Sequence, residues 1–304
     1  MTADGAALRH NALVYSSQDE FLARTVPFLR EGLAAGEGAI VGRTRPGLAL
    51  LREALGADAD RVTFVDVSEA YTTPARTLAS YHEVFADHLR MAPSLRVVGD
   101  VQFGPDPGEW DLWAGYEAVF NRSFAHLPAW VWCAYDAERT PEDLLESVWR
   151  THPDVLSHDG WRASGRYEDP DTLLRRVTPE PVRLLDLRSI PFGDGVVELR
   201  EGLARELLAQ EITESRALDM LVAATEVARN AIEHGGGLKD VRLGRFRERF
   251  VCEIVDRGEG FDDPAAGYLA PREGRGAGLW VARRLTWRIE FFRGADGFTA
   301  RIWL

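Results

Sequence analysis

The rhythm of this chain changes once, and the change limits what the chain can fold into. In the first half, short apolar runs alternate with stretches that repeat apolar residues every three or four positions. That pattern predicts strands at 11–15, 36–42, 61–67, 95–98 and 130–135, and helices at 19–35, 46–55, 74–90 and 113–126. Strands separated by helices need crossover connections, so a layered, mostly parallel α/β sheet is expected. Between 157 and 181 the rhythm breaks on Gly160, Gly165, Pro170, Pro179 and Pro181, set among many charges. Residues 157–180 therefore read as a linker between two domains, 8–156 and 181–304, which suits a length of 304 residues.

The second half has a different order. A strand is expected at 182–187 and helices at 194–209 and 213–234. A hairpin follows at 241–246 and 250–255, then a Gly-rich loop, a helix at 277–285, and two strands at 287–292 and 298–303 around the turn Gly294-Ala-Asp-Gly297. Strands joined by short turns are antiparallel, so this half reads as an α+β two-layer sandwich with helices on one face.

Composition removes several classes. Lys+Arg is 36 and Asp+Glu is 48, a net charge of −12, which disfavours a direct nucleic-acid binder because phosphate contacts need clustered cations. The longest apolar run, 129–135, is far short of the ~20 residues of a membrane span. The opening MTADGAALRH has no basic segment followed by an apolar core, so no secretory signal is expected. Cys133 and Cys252 sit far apart in strand-like runs and read as buried free thiols, which fits a cytoplasmic protein. The seven His are scattered and no Cys/His group has metal spacing, so no metal-ligand cluster is expected.

Three blocks in the second half belong together chemically. Glu226-Val-Ala-Arg-Asn230 lies in the long helix, where a four-residue step turns about 400° and leaves both side chains on one face. Asp256-Arg-Gly-Glu-Gly260 follows an apolar strand, and Gly274-Arg-Gly-Ala-Gly278 opens a helix. A Gly-rich turn at a helix N-terminus can approach phosphates closely. A strand-end carboxylate can accept a hydrogen bond from the amino group of a flat ligand. An Asn carbonyl suits Mg²⁺ shared with phosphates, and a nearby Glu can take a hydroxyl proton. Taken singly, each block also reads as an ordinary helix face or surface turn.

In that order, ATEVARNAIEHGGG, VDRGEGFDDPAAG and GRGAGLWVARRL resemble the histidine-kinase-like ATPase (GHKL) superfamily, which includes gyrase and sensor histidine kinases. Within it they are most similar to the anti-sigma-factor serine kinases. The resemblance implies a Bergerat-type fold over about 181–304, with ATP and Mg²⁺ as cofactors. It assigns Glu226 as general base, Asn230 as Mg²⁺ ligand, Asp256 as adenine reader with Gly258 and Gly260 lining the pocket, Gly274, Gly276 and Gly278 as the phosphate-closing turn, and Thr299 near the adenine end. Arg229 and Trp287 depart from the family pattern, Arg229 standing where relatives more often have a small or apolar residue.

The segment from Gly260 to Gly274 is shorter than the lid usual in sensor histidine kinases, and His88 lacks the context of a phosphoacceptor. The resemblance thus implies phosphorylation of a serine on a STAS-type anti-anti-sigma protein, capture of a sigma factor, or both, with a homodimer as the suggested assembly. A non-catalytic ATP-binding partner-switching module and a sensor histidine kinase-like protein remain as alternatives.

The first half opens like a phosphate-loop unit, but its turn reads Ser16-Ser17-Gln18-Asp19 with no Gly-Lys-Ser/Thr. HNALVYSSQDEFLARTVPFLREGLAAGE, VVGDVQFGP and YEAVFNRSF…VWCAYD resemble the MEDS (methanogen/methylotroph, DcmR-type) sensory domain. That resemblance implies sensing of a small molecule or other signal, with His10, Glu117 and Asn121 as candidate pocket residues. The tryptophans at 110, 113, 130 and 132 read as an apolar wall or as core.

Overall fold

The computed structural model describes residues 7–70, 73–101, 103, 110–178, 181–182, 184, 186–193, 195–210, 212–269 and 276–304. The chain divides into two compact units, Met1–Thr178 and Pro179–Leu304.

The first unit runs β1 (Arg9–Tyr15), α1 (Gln18–Ala34), β2 (Gly38–Arg43), α2 (Arg45–Leu55), β3 (Val62–Asp66), α3 (Val67–Ala70), α4 (Pro74–Leu89), β4 (Leu95–Asp100), α5 (Trp110–Phe124), β5 (Ala129–Asp136), α6 (Glu142–Thr151), β6 (Asp154–Ser157), β7 (Gly160–Ala163) and α7 (Pro170–Val177). Its seven strands lie in the order β3-β2-β4-β5-β1-β6-β7, and every pairing is parallel except β6 with β7. Leu13 and Tyr15 of β1, with Trp132 and Ala134 of β5, face a core shared with Phe28 and Leu29 of α1 and Leu51 of α2. Side chains alternate along a strand, so His10 and Ala12 of β1, with Cys133 and Tyr135 of β5, point to the opposite face. There His10 stacks on Phe120 of α5, and Phe120 packs against Phe85 of α4. Ser17 caps α1 by accepting from Glu20 N, and the Glu20 carboxylate accepts from Ser16 N, the residue before the cap, at the turn where a phosphate loop would sit.

Residues 157–178 are structured and belong to this unit, which corrects the reading of 157–180 as linker. The Gly and Pro residues there are turn and cap signals. Gly160, at φ +96°, closes the β6–β7 hairpin. Asp169 caps α7 ahead of Pro170, and α7 buries Leu173 and Leu174.

The second unit contains β8 (Arg188–Ser189), α8 (Val196–Leu208), α9 (Glu214–His234), β9 (Leu238–Phe246), β10 (Arg249–Asp256), α10 (Ala277–Leu285), β11 (Arg288–Gly294) and β12 (Gly297–Trp303). The sheet order is β11-β12-β10-β9-β8, antiparallel throughout. The helices cover one face through Leu199, Leu203 and Leu207 of α8, Met220, Ala224, Val227, Ala228 and Ala231 of α9, and Ala282 of α10. They meet Phe250, Cys252 and Ile254 of β10 and Ala300 and Ile302 of β12.

The strand expected at 182–187 is displaced. Arg188 and Ser189 pair with β9, Ile190 N donates to Val241 O at 2.9 Å, and Asp186 and Leu187 lie against Gly244, where a Cβ would come within 2.8 Å of both. Residues 183 and 185 fall outside the described residues.

Candidate functional site

The two sequence blocks that begin and end the candidate ATP site meet through α9. Thr213 caps this helix, and its Ala-rich inner face lets it lie close to the sheet. Glu226 and Asn230 sit beside that buried stripe, both half-buried. Glu226 accepts from Arg229 Nη1 at 3.2 Å. At the C-terminal end of the helix, Gly235 lies against the second block: a Cβ there would stand 2.5 Å from Asp256 Cγ. A Cβ on Gly258 would likewise meet Gly235 Cα at 2.9 Å. Both positions are therefore glycine because strand end and helix end touch.

Asp256 is buried at the end of β10, and its Oδ1 accepts from Gly258 N at 2.8 Å. Burial raises its carboxyl above the ordinary Asp range, while the Gly258 N–H and the charge of Arg293 pull it back. Gly260, at φ +75°, packs on the Phe298 ring, and Phe261, Phe291 and Phe298 form an aromatic cluster next to it.

The third block reaches Glu226. Gly276 caps α10 in the left-handed region at φ +75°, and a Cβ on Gly278 would stand 2.7 Å from Glu226 Oε2. The glutamate is thus against the first turn of α10, where free backbone N–H groups gather. Gly274 and its neighbours 270–275 lie outside the described residues.

Thr299 is corrected by the register. β12 pairs Phe298 with Asp256 and Thr299 with Val255. Ala300 and Ile302 face the helices, so the intervening Thr299 faces away from them and from Asp256. Phe298 holds the neighbouring place.

Arg283 of α10 carried no sequence signal. It is buried, and its guanidinium donates to Ala266 O at 2.6 Å and Ile289 O at 3.0 Å while lying over the Tyr268 ring. It ties the segment after Gly260 to α10 and β11. His88 engages both ring nitrogens, with Thr63 Oγ1 and Val84 O, each at 2.8 Å.

The first unit brings together His10, Glu117 and Asn121, the candidate pocket residues, and adds Cys133 and His152. His10 Nδ1 lies 3.1 Å from Asn121 Oδ1, and His10 Nε2 lies 3.3 Å from Glu117 Oε2. His10 and Asn121 line a cavity of about 470 Å³, whereas Glu117 is fully buried behind them. The carboxyl ends of the parallel strands frame a second cavity of about 470 Å³, where Arg43 Nε donates to Asp100 Oδ2 at 2.9 Å. Of the four tryptophans, Trp113 and Trp132 are buried, and Trp132 stacks on Phe28 in the core.

Residues 9–153 match the family described as MEDS, the MEthanogen/methylotroph, DcmR Sensory domain, and residues 194–303 match the histidine kinase-like ATPase domain. The chain is a fusion of these two domains. The ATPase domain implies ATP as its nucleotide. No curated protein matches the chain significantly. A solved structure, the crystal structure of Oryza sativa TDC with PLP and tryptamine, is 15% identical, covers 95% of this chain and 62% of that chain, and gives a TM-score of 0.29. The chain thus spans less than two thirds of that structure, and at that score the likeness carries no argument. Among the described residues of the sensory and ATPase domains, no helix is long and apolar enough to cross a membrane.

Proposed function

We propose that the ATPase domain binds ATP with Mg²⁺ and works as an anti-sigma-type serine kinase under control of the sensory domain, in the cytoplasm. The observation that carries this reading is the approach of Gly278 to Glu226 Oε2, which sets a carboxylate against a helix N-terminus lined by Gly276 and Gly278. The same helix α9 holds Asn230 one turn from Glu226 and ends against Asp256. These residues fit the nucleotide: Asp256 Oδ1 is used by Gly258, which leaves Oδ2 to accept from an adenine amino group.

ATP, when bound, supplies the phosphoryl group. Asn230 gives its amide oxygen to Mg²⁺. The N-terminal amides of α10, with the glycines at 274, 276 and 278, neutralise phosphate charge. Gly258 and Gly260 let the chain after Asp256 turn around the base. Glu226 takes the proton of the incoming serine hydroxyl. Phosphoryl transfer of this kind asks the protein for positioning and charge neutralisation more than for covalent chemistry.

The partner chemistry follows the same reading: a serine of a STAS-type anti-anti-sigma protein receives the phosphate, and a sigma factor is the sequestered target. The use of both His88 ring nitrogens in hydrogen bonds supports serine over autophosphorylation on that histidine.

One observation favours a second reading. Arg229 holds Glu226 at 3.2 Å, and a base tied in this way suits an ATP-gated binding module without phosphotransfer. Incubation of the full chain with labelled ATP, Mg²⁺ and a STAS protein separates the possibilities. Acid-stable label on serine supports the kinase. Acid-labile label sinks it in favour of a histidine kinase, and ATP-dependent capture without label favours the binding module.

A further inference from the structure

We propose that His10, Glu117, Cys133 and His152 form a buried site in the sensory domain for one divalent transition-metal ion of the Zn²⁺ class.

The four residues come from β1, α5, β5 and the C-terminal cap of α6, and all are buried. One ligand atom from each lies within 4.8 Å of all the others. His10 Nε2 is 3.1 Å from Cys133 Sγ and 3.3 Å from Glu117 Oε2. Glu117 Oε2 is 3.7 Å from His152 Nε2 and 3.8 Å from Cys133 Sγ. A regular tetrahedron with zinc–ligand bonds of about 2.0–2.3 Å has edges of about 3.3–3.8 Å, so these spacings approximate a four-coordinate shell.

The hydrogen bonds around the cluster turn both imidazoles the right way. Asn121 Nδ2 donates to Glu117 O at 3.2 Å and Thr151 O at 2.7 Å, which fixes Asn121 Oδ1 toward His10. That oxygen can only accept, so His10 carries its proton on Nδ1 and aims the lone pair of Nε2 into the cluster. His152 Nδ1 lies 2.9 Å from Thr151 Oγ1, whose own proton goes to Ser147 O and Val148 O, and 3.1 Å from Val148 O, so Nδ1 carries the ring proton and the Nε2 lone pair points inward as well. His152 Nε2 is buried and has no hydrogen-bond partner. A ring proton held by a carbonyl is the usual outer support of a metal-bound histidine, and here it occurs twice.

Charge completes the case. The polar groups that face the Glu117 carboxylate are the two imidazoles, the Cys133 thiol and the Tyr135 hydroxyl, and none is a fixed cation. A divalent ion bound by one thiolate, one carboxylate and two neutral imidazoles makes a site of zero net charge, which removes the cost of burying the carboxylate alone. Binding releases the Cys133 thiol proton to solvent. Two nitrogens, a sulfur and an oxygen select a borderline-soft ion over Mg²⁺ or Ca²⁺. The cavity lined by His10 and Asn121 gives such an ion a way in.

The test uses the full chain, stripped with a chelator and titrated with Co²⁺ in the absence of ATP. The expected result is one Co²⁺ per chain, with the visible bands of a tetrahedral ion and a thiolate-to-cobalt charge-transfer band in the near ultraviolet. Cys133→Ser removes the charge-transfer band and Cys252→Ala keeps it. Asn121→Ala, which releases His10 without touching the ion, weakens Co²⁺ binding by about 10–100-fold. Zn²⁺ added in equal amount displaces the cobalt spectrum. A folded wild-type chain that shows no charge-transfer band overturns the proposal, because that reading needs no variant to fold. So does a band that Cys252→Ala abolishes and Cys133→Ser retains.

Discussion

The candidate nucleotide site of the ATPase domain and the buried cluster of the sensory domain are assembled in opposite ways. The first is strung along one stretch of chain: a helix, the strand end that follows the next hairpin, and a glycine turn, in sequence order. Asp256 and the glycine turn lie at element ends, where backbone groups are free, Glu226 and Asn230 share one face of α9, and the tight approaches are made by glycines. The second takes one side chain from each of four elements spread over more than a hundred residues, and closes them into a core. A site of the first kind is free to trade ligands and reach a partner. A site of the second kind is set by the packing of the whole domain, and its occupant is part of that packing.

The contrast breaks most visibly at Glu226. Its replacement by Ala is expected to slow formation of phosphoserine on the STAS protein by about 10²–10⁴-fold, the usual weight of a general base. Calorimetric ATP binding should persist, since a general base at Glu226 would act on the serine hydroxyl and not on adenine. Phosphotransfer at the wild-type rate in that variant would remove Glu226 from the chemistry and leave the approach of Gly278 as simple packing.

That site was legible because its signals are local. Glu226 and Asn230 share a face through helical spacing alone, and Gly-x-Gly after an apolar strand marks the strand end at Asp256. The cluster was only half visible: the resemblance to the sensory family pointed to His10 and Glu117, and nothing joined them to Cys133 and His152. His10, Glu117, Cys133 and His152 have no spacing that marks them, and only the order β5-β1-β6 brings their elements side by side. The parallel and antiparallel sheets followed from connection lengths. The misread segments, 157–180 and 182–187, failed where Gly and Pro served as caps and hairpin turns inside a domain, and where an apolar run packed over Gly244 without pairing. Arg283 left no trace because an Arg in the last turn of a helix reads as solvated charge, whereas here it anchors a loop.

The sensory domain's dependence on buried charge can be measured at Arg43. Its guanidinium is buried against Asp100, whose carboxyl burial pushes up and Arg43 pulls down. Arg43→Met leaves that carboxylate without its cation, and the expected loss is about 3–5 kcal/mol of stability in chemical denaturation. A double variant Arg43→Met/Asp100→Leu should recover most of it, because removing both charges ends the desolvation cost. An unchanged midpoint in the single variant would show that the crevice at the strand ends is wet enough to hold a lone carboxylate.

A smaller effect is expected at Asp256. Exchange for Asn removes a charged acceptor of about 1.5–3 kcal/mol, roughly a 10–150-fold loss of ATP affinity by calorimetry. Acid should mimic this in the wild type. The folded carboxyl titrates above its unfolded value, so its contribution to stability is present below the ordinary Asp range and is lost as pH rises through the raised value. Adenine recognition has the opposite sign, since it needs the ionised form, and it fades as pH falls through that same raised value. The midpoint of the affinity loss should therefore lie above the usual Asp range, and Asp256→Asn should flatten the profile. A wild-type midpoint within the ordinary range would mean that the pocket is more open to water than its packing against Gly235 implies.

The smallest effect belongs to Thr299, and it decides how far the register governs this site. Ala300 and Ile302 face the helices and Thr299 lies between Phe298 and Ala300, so its hydroxyl is on the sheet face away from Asp256. Residues without shared partners couple by about 0.3–0.5 kcal/mol at most, so Thr299→Val should leave ATP affinity within about twofold. Phe298→Ala, at the position paired with Asp256 and packed on Gly260, should weaken ATP binding more than Thr299→Val does. A tenfold loss from Thr299→Val with no change from Phe298→Ala would mean that β12 slips by one residue when nucleotide is bound. A one-residue slip turns every side chain of a strand to the other face. It would send Ala300 and Ile302 out of the core that holds α9, so the energetic demand of that core is what keeps Thr299 away from the base.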